Sequence, residues 1–329
     1  MEFYTPITMP KAPFQFSHRE TIGLMGSCFV ENIGQILEEA RFNVDINPFG
    51  TLYNPASIAA ALRRLLSGQL YKVEDLFERD GLFHSFDHHS RFSAASADEC
   101  LTCINDRFIR AAGRLRQTDR LIITFGSAFV YTLKTDGRIV GNCHKLPERA
   151  FERRRLEVDE IVDDWIALIP ELITVSPDLR LLFTVSPIRH WRDGAHENQL
   201  SKATLLLAID RINRAFPERT AYFPAYEIMM DELRDYRFYA DDMIHPAPLA
   251  IRHIWQRFAD SWLTNESQEL LKEWEAIKKA LEHKPFHPES EAYRRFINQT
   301  LLKIERINQK FPFFDTAKEK AIVQTKGIR

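Results

Sequence analysis

Two short stretches hold the residue types from which a nucleophilic site can be built. In Leu24-Met25-Gly26-Ser27-Cys28-Phe29 a hydroxyl and a thiol stand side by side, directly after an apolar run and at the start of a helical pattern. The start of a helix leaves backbone N–H groups unpaired and carries the positive end of the helix dipole. Both effects lower a thiol's pKa and stabilise an oxyanion forming nearby. The same residues have a plain structural use as well, with Ser27 capping the helix and Cys28 packing inside. In Tyr239-Ala240-Asp241-Asp242-Met243-Ile244-His245-Pro246 a carboxylate precedes a histidine by three residues, which lets Asp242 and His245 meet within one loop or helical turn. The acid would then orient the imidazole and stabilise its protonated form, while the other ring nitrogen takes a proton from the nucleophile. Asp-x-x-His alone also arises by chance and in helix caps, so the pair acquires meaning only if the fold carries it to Ser27 and Cys28.

The elements that would do so alternate. Short apolar runs at Thr21 to Met25, Phe42 to Ile46, Leu121 to Phe125, Leu181 to Val185 and Thr220 to Phe223 end at Gly, Pro or Ser and are too short for helices. Between them, Cys28 to Ala40, Pro55 to Leu66, Ala97 to Leu115, Val158 to Ile173 and Glu197 to Phe216 repeat apolar residues at helical steps, each long enough for a crossover. This rhythm predicts an α/β fold with five parallel strands between helices. Asp136-Gly137 within Phe129 to Val140 predicts an inserted hairpin after the third strand, placed to act as a flap. Residues 1–255 are expected to form this domain and 256–329 a helical extension. There, Leu270, Leu271, Trp274, Ile277 and Leu281, then Phe296, Ile297, Leu301, Ile304 and Ile307, mark two amphipathic helices parted by Lys284-Pro285-Phe286-His287-Pro288. These helices are expected to serve packing or homo-oligomerisation.

Composition narrows the function. The 329 residues carry 44 Lys plus Arg against 46 Asp plus Glu, a net charge of -2, which is no footprint for nucleic acid. With 45% hydrophobic and 27% charged residues there is material for a core and no case for disorder. No apolar run approaches the roughly 20 residues of a membrane span, and the opening MEFYTPITMPKAPFQF lacks a secretory pattern. The expectation is a cytoplasmic protein without a membrane partner, whose four cysteines are reduced.

These features together resemble the GSCFA family of the SGNH or GDSL hydrolase superfamily. The resemblance runs from about residue 20 to 250 through Gly26-Ser27-Cys28-Phe29-Val30, Asn47-Pro48-Phe49-Gly50, Phe125-Gly126-Ser127, Asn142-Cys143-His144-Lys145, Ser186-Pro187-Ile188-Arg189-His190 and Asp242-x-x-His245. Val30 stands where the family name has Ala. The resemblance implies a flavodoxin-like three-layer sandwich with strand order 2-1-3-4-5, and a site at the carboxyl ends of the strands. The superfamily carries Gly-Asp-Ser at the first block. A gapless overlay puts Cys28 on the nucleophilic serine and Ser27 on the aspartate, with Ser27 kept as the competing nucleophile. Gly50, by resemblance to the second block, would add an N–H to the oxyanion hole. The third block departs, because Gly126 is followed by Ser127 and Ala128 rather than by the usual asparagine donor, and Asn142 with His144 is the candidate replacement. Ser186, Arg189 and His190 fall where substrate would lie, Arg189 as an anion contact or a structural clamp.

The implied activity is hydrolysis of an acyl ester, with a small-molecule or carbohydrate substrate such as an O-acetylated sugar, through an acyl-enzyme and without metal or organic cofactor. The alternatives are transfer of the acyl group to a sugar hydroxyl at the same site, and a binding protein that has lost turnover. Other motifs weigh less. His84, Asp87, His88 and His89 are dense but lack the spacing of a zinc site. Cys100-x-x-Cys103 lies inside a helical pattern, where packing is expected rather than redox chemistry. Glu197-Asn198-x-x-Ser201-Lys202 reads as a solvated helix face. No phosphate-binding or dinucleotide-binding glycine motif and no His-Glu-x-x-His occurs.

Overall fold

A computed structural model of the chain describes residues 4–328. β1 (Thr21–Gly26) leads through Ser27 into α1 (Cys28–Glu39) and β2 (Asn43–Ile46), and α2 (Pro55–Ser67) precedes a hairpin of β3 (Leu76–Arg79) and β4 (Leu82–Ser85). α3 (Ala97–Leu115) returns the chain to β5 (Arg120–Phe125), after which β6 (Phe129–Leu133), β7 (Ile139–Val140) and β8 (Phe151–Arg155) form an antiparallel sheet in the order β7-β6-β8. α4 (Val158–Val175), β9 (Arg180–Val185), α5 (Gly194–Ala215), β10 (Thr220–Tyr222), the single turn α6 (Ala225–Glu227) and α7 (Pro248–Trp262) complete the α/β body. α8 (Asn265–Glu282), α9 (Glu291–Lys310) and α10 (Ala317–Ile328) follow.

The central sheet has five strands in the order β2-β1-β5-β9-β10, all parallel. This is the expected 2-1-3-4-5 arrangement, and each strand lies within one residue of its expected bounds. The central strands β1, β5 and β9 are largely apolar because beyond their first residue both faces are buried, whereas the edge strand β2, with Asn43 and Asp45, is only partly covered. Leu121, Ile123 and Phe125 of β5 and Leu181, Phe183 and Val185 of β9 point to a core shared with α2, α3, α4 and α5. Their alternate neighbours Ile122 and Leu182, with Ile22 and Leu24 of β1, meet α1 and α7 on the other side. At the centre of the first core the fully buried Trp165 ring stands edge-on to Phe125 and Phe183, with centroids 5.2 Å from each.

Two expectations change. The boundary placed at residue 255 falls inside α7, whose Ile254, Trp255, Phe258, Ala259 and Trp262 form one continuous face on the sheet, so the extension begins only at α8. The expected hairpin exists as β6 and β7, but β8 pairs with β6 along five residues and makes a small sheet of it. Alternation in Phe151–Arg155 is masked by three consecutive arginines on a strand with one buried end. In the extension, Leu270, Trp274 and Ile277 of α8 and Ile297, Ile304 and Ile307 of α9 pack with Phe311, Phe314 and Val323 into a separate core, and the Lys284-to-Pro288 segment separates the helices as expected. The extension is tied to the body by the Trp274 indole, which donates to the Glu39 carbonyl at 3.0 Å.

Candidate active site

β1 must stop abruptly to expose its end, and glycine allows it. Gly26 has φ +143°, and a Cβ there would lie 2.2 Å from the Thr124 carbonyl oxygen of the neighbouring strand. Its N–H donates to Asn47 Oδ1 at 2.9 Å, and the Asn47 N–H donates to Leu24 O at 2.8 Å, so the turn after β2 is fastened to the end of β1. Ser27 donates its N–H to Thr124 O at 3.3 Å, and its hydroxyl is buried with no hydrogen-bond partner and caps nothing. Cys28, the first residue of α1, lies half-buried on the wall of a cavity of about 540 Å³ that Ser27 does not line. Burial, then Glu31, push the Cys28 thiol above its usual range, opposed by its own N–H, that of Phe29, and the Lys202 ammonium.

His245 lines the same cavity. Its Nδ1 donates to Asp242 Oδ2 at 2.5 Å, and Asp242 Oδ1 accepts the Ile244 and His245 N–H groups, each at 2.9 Å. Those bonds hold the Asp242 carboxyl down at about 2, the backbone donors contributing most. The loop is closed by Ala240 N–H to His245 O at 2.7 Å and is passed through Met243 at φ 58°. With Nδ1 committed to the carboxylate, the neutral ring presents Nε2 as its proton acceptor.

Asn142, Arg189 and His190 also line this cavity. The Asn142 side-chain oxygen accepts the His144 N–H at 2.8 Å. The His190 N–H is held by Asn198 Oδ1 at 3.0 Å, and burial, then Lys202, lower the His190 ring to about 4. Four other residues stand elsewhere. Gly50 donates its N–H to Asn47 O at 2.8 Å, in a turn where a Cβ would strike the His89 Cβ at 2.2 Å, so its amide is spent on the turn and not on an oxyanion. Gly126 likewise gives its N–H to Tyr53 O at 2.8 Å. His144 follows β7 in the chain and lies outside the cavity lining, Nε2 bonded to Ser85 O at 2.8 Å and ring 4.6 Å from that of His84. Ser186 is fully buried behind the cavity wall.

The helix face from Asn198 to Lys202 is the largest correction. Asn198, Ser201 and Lys202 on it are buried, and their polar groups answer backbone groups of the site loops. Ser201 Oγ accepts the Ala128 N–H at 2.8 Å. Lys202 Nζ donates to Gly126 O at 2.7 Å and Ser186 O at 2.8 Å, clamping the ends of β5 and β9 beneath the cavity. Burial lowers this ammonium to about 7, the Cys28 sulfur opposing. The signal was present: Asn198, Ser201 and Lys202 stand at i, i+3 and i+4 in line with Leu205, Ala208, Ile209 and Ile212, the apolar face of the same helix.

Asn54 and Arg153 were not foreseen in the lining. Asn54 caps α2, its side chain accepting the Ser57 N–H at 2.8 Å ahead of Pro55, a legible cap signature whose place beside the cavity only the fold reveals. Arg153, from β8, pairs through both terminal nitrogens with Asp193 at the start of α5.

Among the described residues no group of three His, Cys, Asp or Glu is arranged to hold a metal ion. His84 Nδ1 bonds Ser93 Oγ at 2.6 Å, His88 Nδ1 bonds Ser85 Oγ at 3.0 Å, and Asp87 accepts the Tyr71 hydroxyl at 3.0 Å. All four cysteines are free thiols, with Cys100 buried and Cys103 exposed on α3. Among the described residues no helix is long and apolar enough to cross a membrane.

No curated protein matches the chain. Two family models do: the model described as the GSCFA family over residues 21–258, and that of the GSCFA domain protein, C-terminal domain, over residues 274–327. The first spans the whole parallel sheet, the Gly26-Ser27-Cys28-Phe29 turn and the Asp242-His245 loop, and the chain belongs to the GSCFA family.

Proposed function

We propose that the protein hydrolyses acyl esters through Cys28, His245 and Asp242, in the manner of the SGNH superfamily that its sheet order and block pattern resemble. The observation that carries this reading is the shared cavity: Cys28 and His245 come from opposite ends of the domain, yet line one space at the carboxyl ends of the strands. The nucleophile is assigned to Cys28 because Ser27 is absent from that lining.

His245 Nε2 takes the Cys28 proton as sulfur attacks the ester carbonyl, which makes the raised thiol pKa a reason for needing a base. The developing oxyanion meets the N-terminus of α1 and the Asn142 amide, which stands in for the absent third-block asparagine. The imidazolium, steadied by Asp242, protonates the departing alcohol, leaving an acyl-thioester on Cys28. Water, deprotonated by the same ring, then releases the carboxylic acid and restores the thiol.

Hydrolysis of activated acetyl esters tests the assignment. Cys28→Ala and His245→Ala are each expected to lower kcat by about 10³-fold, while Ser27→Ala retains most activity. An undiminished rate in His245→Ala rejects the enzymatic reading, and loss in Ser27→Ala with activity kept in Cys28→Ala moves the nucleophile to the hydroxyl.

A further inference from the structure

The cavity is lined by three arginines, Arg153, Arg189 and Arg192, against a single carboxylate, Asp193. Two of the three are answered. Arg153 is spent on Asp193, and Arg192 reaches Glu148 at the surface. Arg189 is not. Among the described residues no carboxylate lies within ion-pairing reach of its guanidinium, whose only hydrogen bond runs from Nη2 to Met230 Sδ, a weak acceptor, at 3.3 Å. Its Nε is buried and unpartnered, and its charge is felt by Tyr226 and Tyr239, both polar at one end but neither an anion. Beside it, the His190 ring leans edge-on against Tyr53 at 5.7 Å, with a buried Nε2 that also has no partner. A half-buried guanidinium without a counter-charge is costly to keep, and an imidazole nitrogen without a partner adds to that cost. Both groups belong to one short loop, held at its far side by Asn198 and facing the space that Cys28 and His245 share. Planar, fork-shaped donors of this kind match a carboxylate or phosphate through paired hydrogen bonds.

We propose that the ester acted on here is anionic, carrying a carboxylate or phosphate that seats on Arg189 and takes one further hydrogen bond from His190. The inference rests on the acyl-ester reading for the reacting group, but the anion seat has a readout of its own. Matched esters locate the charge. 4-Nitrophenyl hemisuccinate against 4-nitrophenyl butyrate tests an anion on the acyl half, and 4-acetoxybenzoate against its methyl ester tests one on the alcohol half. Wild type is expected to prefer the charged member of at least one pair by about ten- to a hundredfold in kcat/KM, the scale of a hydrogen bond to a charged group. That preference ratio is expected to fall toward unity in Arg189→Ala and to survive in part in Arg189→Lys, which keeps the charge but loses the fork. Both variants are compared with wild type by thermal melting, so that a folding defect in one leaves the other to decide.

Succinate and inorganic phosphate, titrated calorimetrically into the His245→Ala protein with and without Arg189→Ala, separate the two claims. Anion binding that vanishes with Arg189, together with a wild-type protein that turns over none of the esters, supports the seat and sinks the esterase. Turnover of neutral esters without charge preference and without anion binding supports the esterase and overturns the seat. A charge preference that persists in Arg189→Ala also overturns the assignment to that residue.

Discussion

The two halves of the proposed site are built in opposite ways. Cys28 sits at the end of a strand buried on both faces, fixed by Gly26, Asn47 and Thr124, with a buried lysine clamping the neighbouring loops from below. Asp242 and His245 lie on a surface loop with side chains 48% and 51% exposed, held by bonds they make to each other and to their own backbone. One half borrows its precision from the core, and the other generates it within four consecutive residues. Damage to the first should therefore appear as lost stability, and damage to the second as lost activity in an intact fold.

Substitutions at the buried end test the first half most severely. Gly26→Ala puts a methyl group against a backbone carbonyl at an unfavourable positive φ, and a loss of about 3 kcal/mol or more is expected in chemical denaturation. A variant as stable as wild type would show that β1 ends less rigidly than described. Lys202→Met should cost about 2 kcal/mol by leaving the Gly126 and Ser186 carbonyls unanswered.

The pH dependence of that variant adds a signed check. The Lys202 ammonium is depressed to about 7 in the fold, whereas in the unfolded chain it keeps the ordinary lysine value of about 10.4. Between those values the unfolded state binds more protons, so wild type should gain stability on Lys202→Met as pH rises from about 7 toward 10. A constant difference between the two curves would remove the buried charge from the account.

At the exposed end, Asp242→Asn should leave the melting temperature nearly unchanged while kcat on activated esters falls by about a hundredfold or more, because the ring loses the partner that fixes its tautomer. A large loss of stability would instead make Asp242 a structural residue. The smallest effect is kinetic. With its thiol raised above the ordinary range, Cys28 should be alkylated by iodoacetamide ever faster as pH climbs past 9, with no plateau near neutrality, as followed by peptide mass spectrometry.

The sequence made the sheet legible because each strand is an apolar run cut by glycine, proline or serine and followed by a helix-length pattern, and such signals are local. The turn at Gly26 and the Asp242-His245 spacing were legible for the same reason. The destinations of polar groups in the loops were not. Gly50 looked like a free donor, yet its N–H is taken by the Asn47 carbonyl, as that of Gly126 is by the Tyr53 carbonyl, pairings that only the folded backbone decides. Lys202 looked solvated because lysine usually is, and it is buried because two carbonyls at the ends of separate strands converge on it.

The bond from the Trp274 indole to the Glu39 carbonyl falls at the last turn of α1, the helix whose first residue is Cys28. The carboxy-terminal bundle thus serves as a splint: it quiets fraying at one end of a twelve-residue rod whose opposite tip carries the thiol. Shortening the chain at its tail would loosen that rod from the side farthest from the cavity.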